Sequence, residues 1–511
     1  MGVLGLAAVV GLLTFVLYWI VGLYKRSAKY GAKIQGPTIA PVIGNLHQFR
    51  YKPDEFFEQA QGLGYMLKGQ TERISAVYLG PVMFIMIYGA EECEAVLGGQ
   101  KTLTKMFHYN FLTPWIGQGL LISKPNKWRP RRKLLTPTFH YDILKDFVQV
   151  YNRHAATLLS KFDKIAESGE FTDVFHTITL CTLDIICESA LGCNIHAQDK
   201  VHSEYLDAVF RMKYIIHQRQ VKPFYYPDLL WNTIGYGREE KKLVDILHNF
   251  TGRVIKERKE AVEKAGGVQK LLDEERMSGH SKMAFLDLML DMVDKGQLDM
   301  DGLQEEVDTF TFEGHDTTSA AMNWFLHLMG NHPQIQARVQ KEVDEVLGVD
   351  REPTFEDLGK LKYLEACFKE TLRLYPSVPL FARQMTEDTK VHNHILPKGT
   401  GVVIMPAMVH KDERFWPNPE VFDPERFVDS ELKHPYAYIP FSAGSRNCIG
   451  QRFAMMEEKC VIAQIMRRFR VTSKLKTHEM RVAAELIIRP MYGNHVNFER
   501  RSFGDYTLIS N

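Results

Sequence analysis

The chain has 511 residues, with 63 lysines and arginines against 62 aspartates and glutamates and a net charge of +1. That balance argues against recognition of a polyanion by bulk charge, and 45% apolar with 24% charged residues argues against a disordered chain. The cysteines at 93, 181, 187, 193, 367, 448 and 460 are odd in number, with no Cys-x-x-Cys pair and no common zinc spacing. Reduced thiols on the cytosolic side fit this usage.

Residues 2–24 carry no charge and are dominated by Leu, Val, Ala and Ile. As a helix they would span about 34 Å, enough for a tilted bilayer crossing. A cleaved signal peptide has a shorter apolar core, a leading positive charge and a small-residue cleavage site, none of which is present. Lys25, Arg26, Lys29 and Lys33 follow at once, so the positive-inside rule predicts a single transmembrane anchor with the bulk of the chain in the cytosol. The basic linker 25–50 contains Gly-Pro-Thr-Ile-Ala-Pro at 36–41 and Gly44, which break helix and strand alike. The main body is then 51–511.

That body reads as mainly α with a minor β-sheet region, an α+β chain. Segments 73–79 and 82–88 flank Gly80-Pro81 and predict a hairpin. The Trp128–Arg132 spacing is one helical turn, and Pro130 between them is tolerable only in a first turn. Aromatic and aliphatic residues at 106–121, 223–231 and 486–488 are candidate walls of an apolar pocket or, for 223–231, a membrane-dipping segment. Ordinary core packing accounts for such stretches equally well. Polar, glycine-bearing 265–282 reads as an exposed interhelical loop. Ile335, Val339, Val343, Val346 and Leu347 after Pro333 have helical spacing, and a second short strand pair is expected around 398–401. There is no internal repeat and no second domain boundary.

A long helix is predicted from about 301 to 331, with Asp301 and Gln304 as its cap and His332-Pro333 as its end. Gly314 lies at its centre and costs about 1 kcal/mol relative to Ala, which calls for a reason such as close approach to a ligand. Asp316 and Thr317 add an acid–alcohol pair suited to relaying protons. The flanks Phe310, Phe312, Ala320, Ala321, Trp324 and Phe325 argue for burial rather than a solvated turn. Further on, Glu370 and Arg373 stand at i,i+3 and can pair.

Residues 441–450 read Phe-Ser-Ala-Gly-Ser-Arg-Asn-Cys-Ile-Gly, directly before a helical pattern at 451–466. A thiolate at Cys448 faces the positive end of that helix, which lowers its pKa. Gly444 and Gly450 let the backbone pass a flat partner, and Arg446 adds a fixed cation. These are the requirements of an axial thiolate on haem iron. The loop, with Phe441, Gly444, Arg446, Cys448 and Gly450, resembles the haem-binding signature of cytochromes P-450, and the anchor and proline-rich hinge resemble its microsomal members.

Other segments extend the resemblance. The run 305–318 is similar to the family's oxygen-activating helix, where Asp316 and Thr317 guide protons. Glu313 stands where alanine is commonest and resembles family 4, in which this glutamate forms an ester to a haem methyl; Thr311 departs from the methionine usual there. Glu370, Arg373 and Arg426 match the family's structural Glu-Arg-Arg network. Trp128, Arg132, Arg383 and Arg446 match donors to the haem propionates, and Gly314 lies against the cofactor.

The resemblance implies the cytochrome P-450 fold and haem b (iron protoporphyrin IX) held by Cys448 and joined to Glu313. It also implies monooxygenation of a fatty acid or other long aliphatic compound at or near its terminus. The chain carries no flavin or nicotinamide signature, so electrons come from NADPH through a separate flavoprotein reductase, with cytochrome b5 as a second donor. Arg129, Arg131, Lys133, Arg452 and Lys459 are candidates to meet that partner. Location at the endoplasmic reticulum membrane follows from the same likeness. Two other readings keep the haem: a reductase-independent rearrangement of peroxides, against which Asp316-Thr317 argues, and a non-catalytic membrane sensor or carrier.

Overall fold

Helix Met300–Asn331 organises the larger part of the molecule. Asp299 caps it, its Oδ1 accepting from the Gly302 N–H at 2.8 Å, so the helix begins slightly before the cap expected at Asp301. It ends at His332, where Pro333 removes the next amide donor and opens helix Pro333–Leu347. Side chains from Glu306 to Gly330 are almost continuously buried, as expected of a helix enclosed on every side. The computed structural model describes residues 3–31, 34–40, 43–80, 82–99, 102–199, 203–277 and 284–506.

The described chain is mainly helical with small sheets and divides into two compact units interleaved in sequence. The first comprises 1–107, 380–417 and 432–447. Its four-stranded sheet has the order Ile74–Leu79, Val82–Ile87, Gly401–Ile404, Phe381–Gln384. The first two strands form the expected hairpin, with Leu79 opposite Val82 and Gly80 at φ +59°; Pro81 lies outside the described residues. No strand pair closes over 398–401. Gly401–Ile404 instead pairs parallel to Val82–Ile87 and antiparallel to Phe381–Gln384, because its burial on both faces suits a central strand.

The second unit comprises 108–379, 418–431 and 448–511. Around the Met300–Asn331 helix stand Phe175–Leu191, Glu204–Val221, Gly237–Ala265, Lys362–Leu374 and Gln451–Arg468. Its strands are Thr172–Asp173, His495–Arg500 and Phe469–Ser473 in one sheet and Val482–Ala484 with Ile488–Pro490 in another. The stretch 265–282 is not all loop: Val268–Met277 is helical, and 278–283 lies outside the described residues. Pro130 sits inside helix Pro125–Leu135 rather than in its first turn.

The apolar N-terminal segment is helical over Val3–Gly31. Among the described residues no helix is long and apolar enough to cross a membrane. Several side chains of Val3–Gly31 lie outside the description; of those within it, Val10, Leu13, Phe15, Leu17 and Tyr18 are exposed.

Candidate active site

Cys448 lies just before helix Gln451–Arg468, whose N-cap is Gly450. The thiol has exposed surface, yet the protein around it removes enough water to push its pKa up to about 12. Burial is the largest cause and the Glu313 carboxylate the next, while the Gly450 N–H and Arg132 pull the other way. The helix terminus therefore does not by itself keep the sulfur anionic, contrary to the sequence expectation, because desolvation outweighs it. A bound cation reverses that balance, since a coordinating thiol is deprotonated outright.

The space around Gly450, two residues after Cys448, is open. A Cβ built on Gly450 would meet nothing closer than Cys448 Sγ and Phe139 Cε1, both at 4.0 Å. Gly444 is different: with φ +72° and a Cβ that would fall 2.1 Å from the Leu97 carbonyl oxygen, it is glycine to let two backbones of the first unit touch.

On the Met300–Asn331 helix, Glu313, Gly314 and Thr317 are half-buried within an otherwise buried run. Glu313 and Thr317, at i and i+4, share one side of the helix, so this is the helix's open side. Glu313 belongs to the surroundings of Cys448. Thr317 Oγ1 donates to the Glu313 carbonyl at 2.7 Å. The missing Cβ of Gly314 points at helix Phe175–Leu191, where it would fall 2.5 Å from Ile186 Cγ1. Helix packing thus accounts for this glycine without a ligand.

Asp316 does not share the open side with Thr317. It is fully buried, and both its oxygens accept from Lys213 Nζ at 2.8 Å. Neighbours in a helix point about 100° apart, which separates the acid from the alcohol. His315 is buried too, its Nδ1 2.5 Å from the Thr311 carbonyl oxygen, and burial lowers its pKa. Lys213 was missed by sequence reasoning, because one lysine among the charges of Glu204–Val221 carries no mark of its partner.

Glu370, Arg373 and Arg426 come together. Arg373 donates to both oxygens of Glu370 at 2.7 and 2.8 Å and to the Pro419 and Val421 carbonyls at 2.7 and 3.0 Å. The Asp423 N–H reaches the same carboxylate at 2.9 Å, and Arg426 Nε lies 3.4 Å from it. The network fastens segment 418–426 to helix Lys362–Leu374.

In the second unit Trp128 is buried and Arg132 half-buried, its pKa lowered by burial and raised again by Cys448. In the first, Arg383 is buried on strand Phe381–Gln384, Arg446 donates to the Leu103 carbonyl at 2.5 Å, and Phe441 is half-buried. Within the second unit the donor set fits haem: a soft sulfur for iron at Cys448, with the arginine and indole N–H groups of Arg132 and Trp128 for carboxylates.

Two of the five candidate docking cations are committed elsewhere. Arg131 pairs with Glu306 at 2.8 Å and buried Lys459 with Glu365 at 2.8 Å, whereas Arg129, Lys133 and Arg452 are exposed. The 223–231 stretch also splits: Phe224 and Leu229 are exposed, while Trp231 is buried with Nε1 donating to Glu240 at 2.8 Å.

Comparison with known proteins agrees with this geometry. The family model described as Cytochrome P450 matches residues 34–498. The chain is 45% identical over 500 residues to "Cytochrome P450 4V2" of Homo sapiens, covering 94% of each. It is 39% identical to "Cytochrome P450 4c3" of Drosophila melanogaster over 93% of this chain and 91% of that one. With "Cytochrome P450 4c21" of Blattella germanica the identity is 36% over 98% and 99%. The chain therefore belongs to the cytochrome P450 family, is similar to its family 4 members, and is a haem-dependent cytochrome P450 monooxygenase.

Proposed function

We propose that this monooxygenase hydroxylates a fatty acid or other long aliphatic compound at or near its terminus, using electrons from NADPH delivered by a flavoprotein reductase, with cytochrome b5 as a second donor. The observation that carries the reading is a carboxylate, Glu313, on the open side of the central helix and within the electrostatic reach of Cys448. Likeness to family 4 proteins supports the substrate class.

Haem iron bound at Cys448 supplies dioxygen activation and insertion of one oxygen atom into a C–H bond. Cys448 Sγ would hold the iron, and Trp128, Arg132, Arg383 and Arg446 would hold the carboxylates of the haem. Phe441 and Gly444 would shape the backbone of the cysteine loop. Glu313 would provide the carboxylate to which the cofactor is joined, and that link would stiffen the wall beside it.

Thr317 Oγ1, anchored by its donation to the Glu313 carbonyl, keeps lone pairs free to accept a proton-bearing partner. Asp316 is the acid from which protons are supplied. Lys213 Nζ donates to both of its oxygens and so fixes where that carboxylate sits. Glu370, Arg373 and Arg426 act as structural support.

The uncharged run 2–24 and the cations Lys25, Arg26, Lys29 and Lys33 that follow it are what support a single-pass anchor in the endoplasmic reticulum membrane, with residues 51–511 on the cytosolic face.

The test is full-length holoenzyme reconstituted with NADPH and a flavoprotein reductase on saturated fatty acids. Terminal and near-terminal hydroxy acids are expected, one per NADPH consumed in coupled turnover. Turnover supported by peroxide alone, or no product under any electron supply, sinks the reading. The reduced carbon-monoxide spectrum of Cys448→Ala tests the ligand separately: the thiolate-type band must vanish.

A further inference from the structure

Two adjacent carboxylates near the start of the Met300–Asn331 helix perform the same act twice. Glu305 Oε1 accepts from the Gln118 N–H at 2.8 Å, and its Oε2 accepts from Lys127 Nζ at 2.5 Å. Glu306 Oε2 accepts from the Leu120 N–H at 3.0 Å, and its Oε1 accepts from Arg131 at 2.8 Å. Each carboxylate therefore takes one amide from loop 117–121 and one cation from helix Pro125–Leu135. The amides are two residues apart and the cations four, so every partner falls on a matching side.

The loop is built to lie flat on the helix. Gly117 has φ +53° and ψ −139°, a region open to glycine alone, and its Cβ would fall 2.4 Å from Glu305 Cγ. A Cβ on Gly119 would fall 2.3 Å from Thr309 Oγ1 and 2.8 Å from the Glu305 carbonyl oxygen. Trp115, one residue before helix end Ile116, packs on Phe312 with centroids 4.4 Å apart, and His248 Nε2 lies 2.6 Å from the Trp115 carbonyl.

Glu306 precedes Glu313 by two helical turns, about 10 Å along the axis, and Thr317 follows one turn later. The loop is thus fastened to the same stripe of helix that carries Glu313 and Thr317. Arg131 is 11% and Glu306 0% exposed, so this fastening is dry, and charge-assisted bonds are strongest there.

We propose that Glu305 and Glu306 are positioning residues that latch loop 117–121 onto the central helix and so set which carbon of an aliphatic chain is oxidised. Leu120 and Leu121 travel with the loop. Releasing the latch shifts those side chains relative to Glu313 and lets a flexible chain settle in more than one register. The inference rests on the aliphatic-hydroxylase reading.

The test compares holoenzyme with Glu305→Gln, Glu306→Gln and Gly119→Ala, the last lifting the loop without touching a carboxylate. Amide hydrogen exchange at Gln118 and Leu120 is expected to accelerate about tenfold, the worth of a hydrogen bond to a charged group. With dodecanoic acid as probe, the ratio of terminal to subterminal alcohols is expected to fall about fivefold, near 1 kcal/mol. The reduced carbon-monoxide spectrum should keep its thiolate band. Faster exchange with an unmoved product ratio overturns the specificity role, and unmoved exchange overturns the latch. Wild-type enzyme that makes no hydroxylated product from any aliphatic acid overturns the functional reading instead, leaving exchange to judge the latch.

Discussion

Lys213 Nζ sits 2.8 Å from each carboxylate oxygen of Asp316, with both side chains almost wholly removed from solvent. A buried charge stripped of its partner is costly, on the order of 3–5 kcal/mol, whereas apolar replacement of both partners is often tolerated. Lys213→Met is therefore expected to destabilise the fold by about 3–5 kcal/mol, and Lys213→Met with Asp316→Leu to recover most of that loss. Denaturant unfolding of the two variants measures this. Equal losses would mean the pair contributes nothing as a pair.

Glu313 lies on the open side of its helix, near Cys448. If it carries the ester, acid extraction leaves haem on native protein and frees it completely from Glu313→Gln. The comparison is read from the absorbance of the organic layer, and full release from native protein refutes the ester.

Gly314→Ala sets two effects against each other. The methyl gains about 1 kcal/mol in helix propensity but lands 2.5 Å from Ile186 Cγ1, a methylene on a β-branched side chain with little freedom to retreat. Overpacking at about 1–3 kcal/mol wins, so a net loss of up to about 2 kcal/mol is expected. Ile186→Ala should relieve it, giving a favourable coupling in a double-mutant cycle. Strictly additive effects would exclude the contact as the cause.

His327 is buried against Ser473, its Nδ1 2.9 Å from the hydroxyl oxygen, and burial lowers its pKa to about 4. Its folded value lies below the unfolded one of about 6.5. Neutral His327 therefore supports the fold fully above pH 6.5, and that support drains away as pH falls from 6.5 towards 4. About 3 kcal/mol is at stake in wild type. In His327→Asn the thermal midpoint should fall less steeply over the same window; an identical slope would show that other groups govern acid lability.

The sequence was most informative where chemistry is local. The cysteine loop, the hairpin around Gly80 and the helix ending at His332 can be read because their determinants are contiguous. Glu370 and Arg373 are legible for the same reason, one turn apart. Partnerships across the fold leave no such trace: nothing in 204–221 singles out Lys213, and Gly314 looks alike whether a ligand or Ile186 lies against it. Helix Val268–Met277 was hidden by its polar composition, and the partners of Gly401–Ile404 are remote in sequence. The thiol of Cys448 shows a further limit, since a helix terminus is visible in sequence but the burial that outweighs it is not.

The parallel pairing of Ile87 with Ile404 has a consequence for how the protein is made. At about 5–20 residues per second, a ribosome needs roughly 15–60 s to travel between those positions. Throughout that interval the nascent hairpin presents an unpaired, largely apolar strand edge, which invites pairing with other chains. Chaperone cover during synthesis, rather than the stability of the finished molecule, is then expected to limit the yield of soluble enzyme in a foreign host.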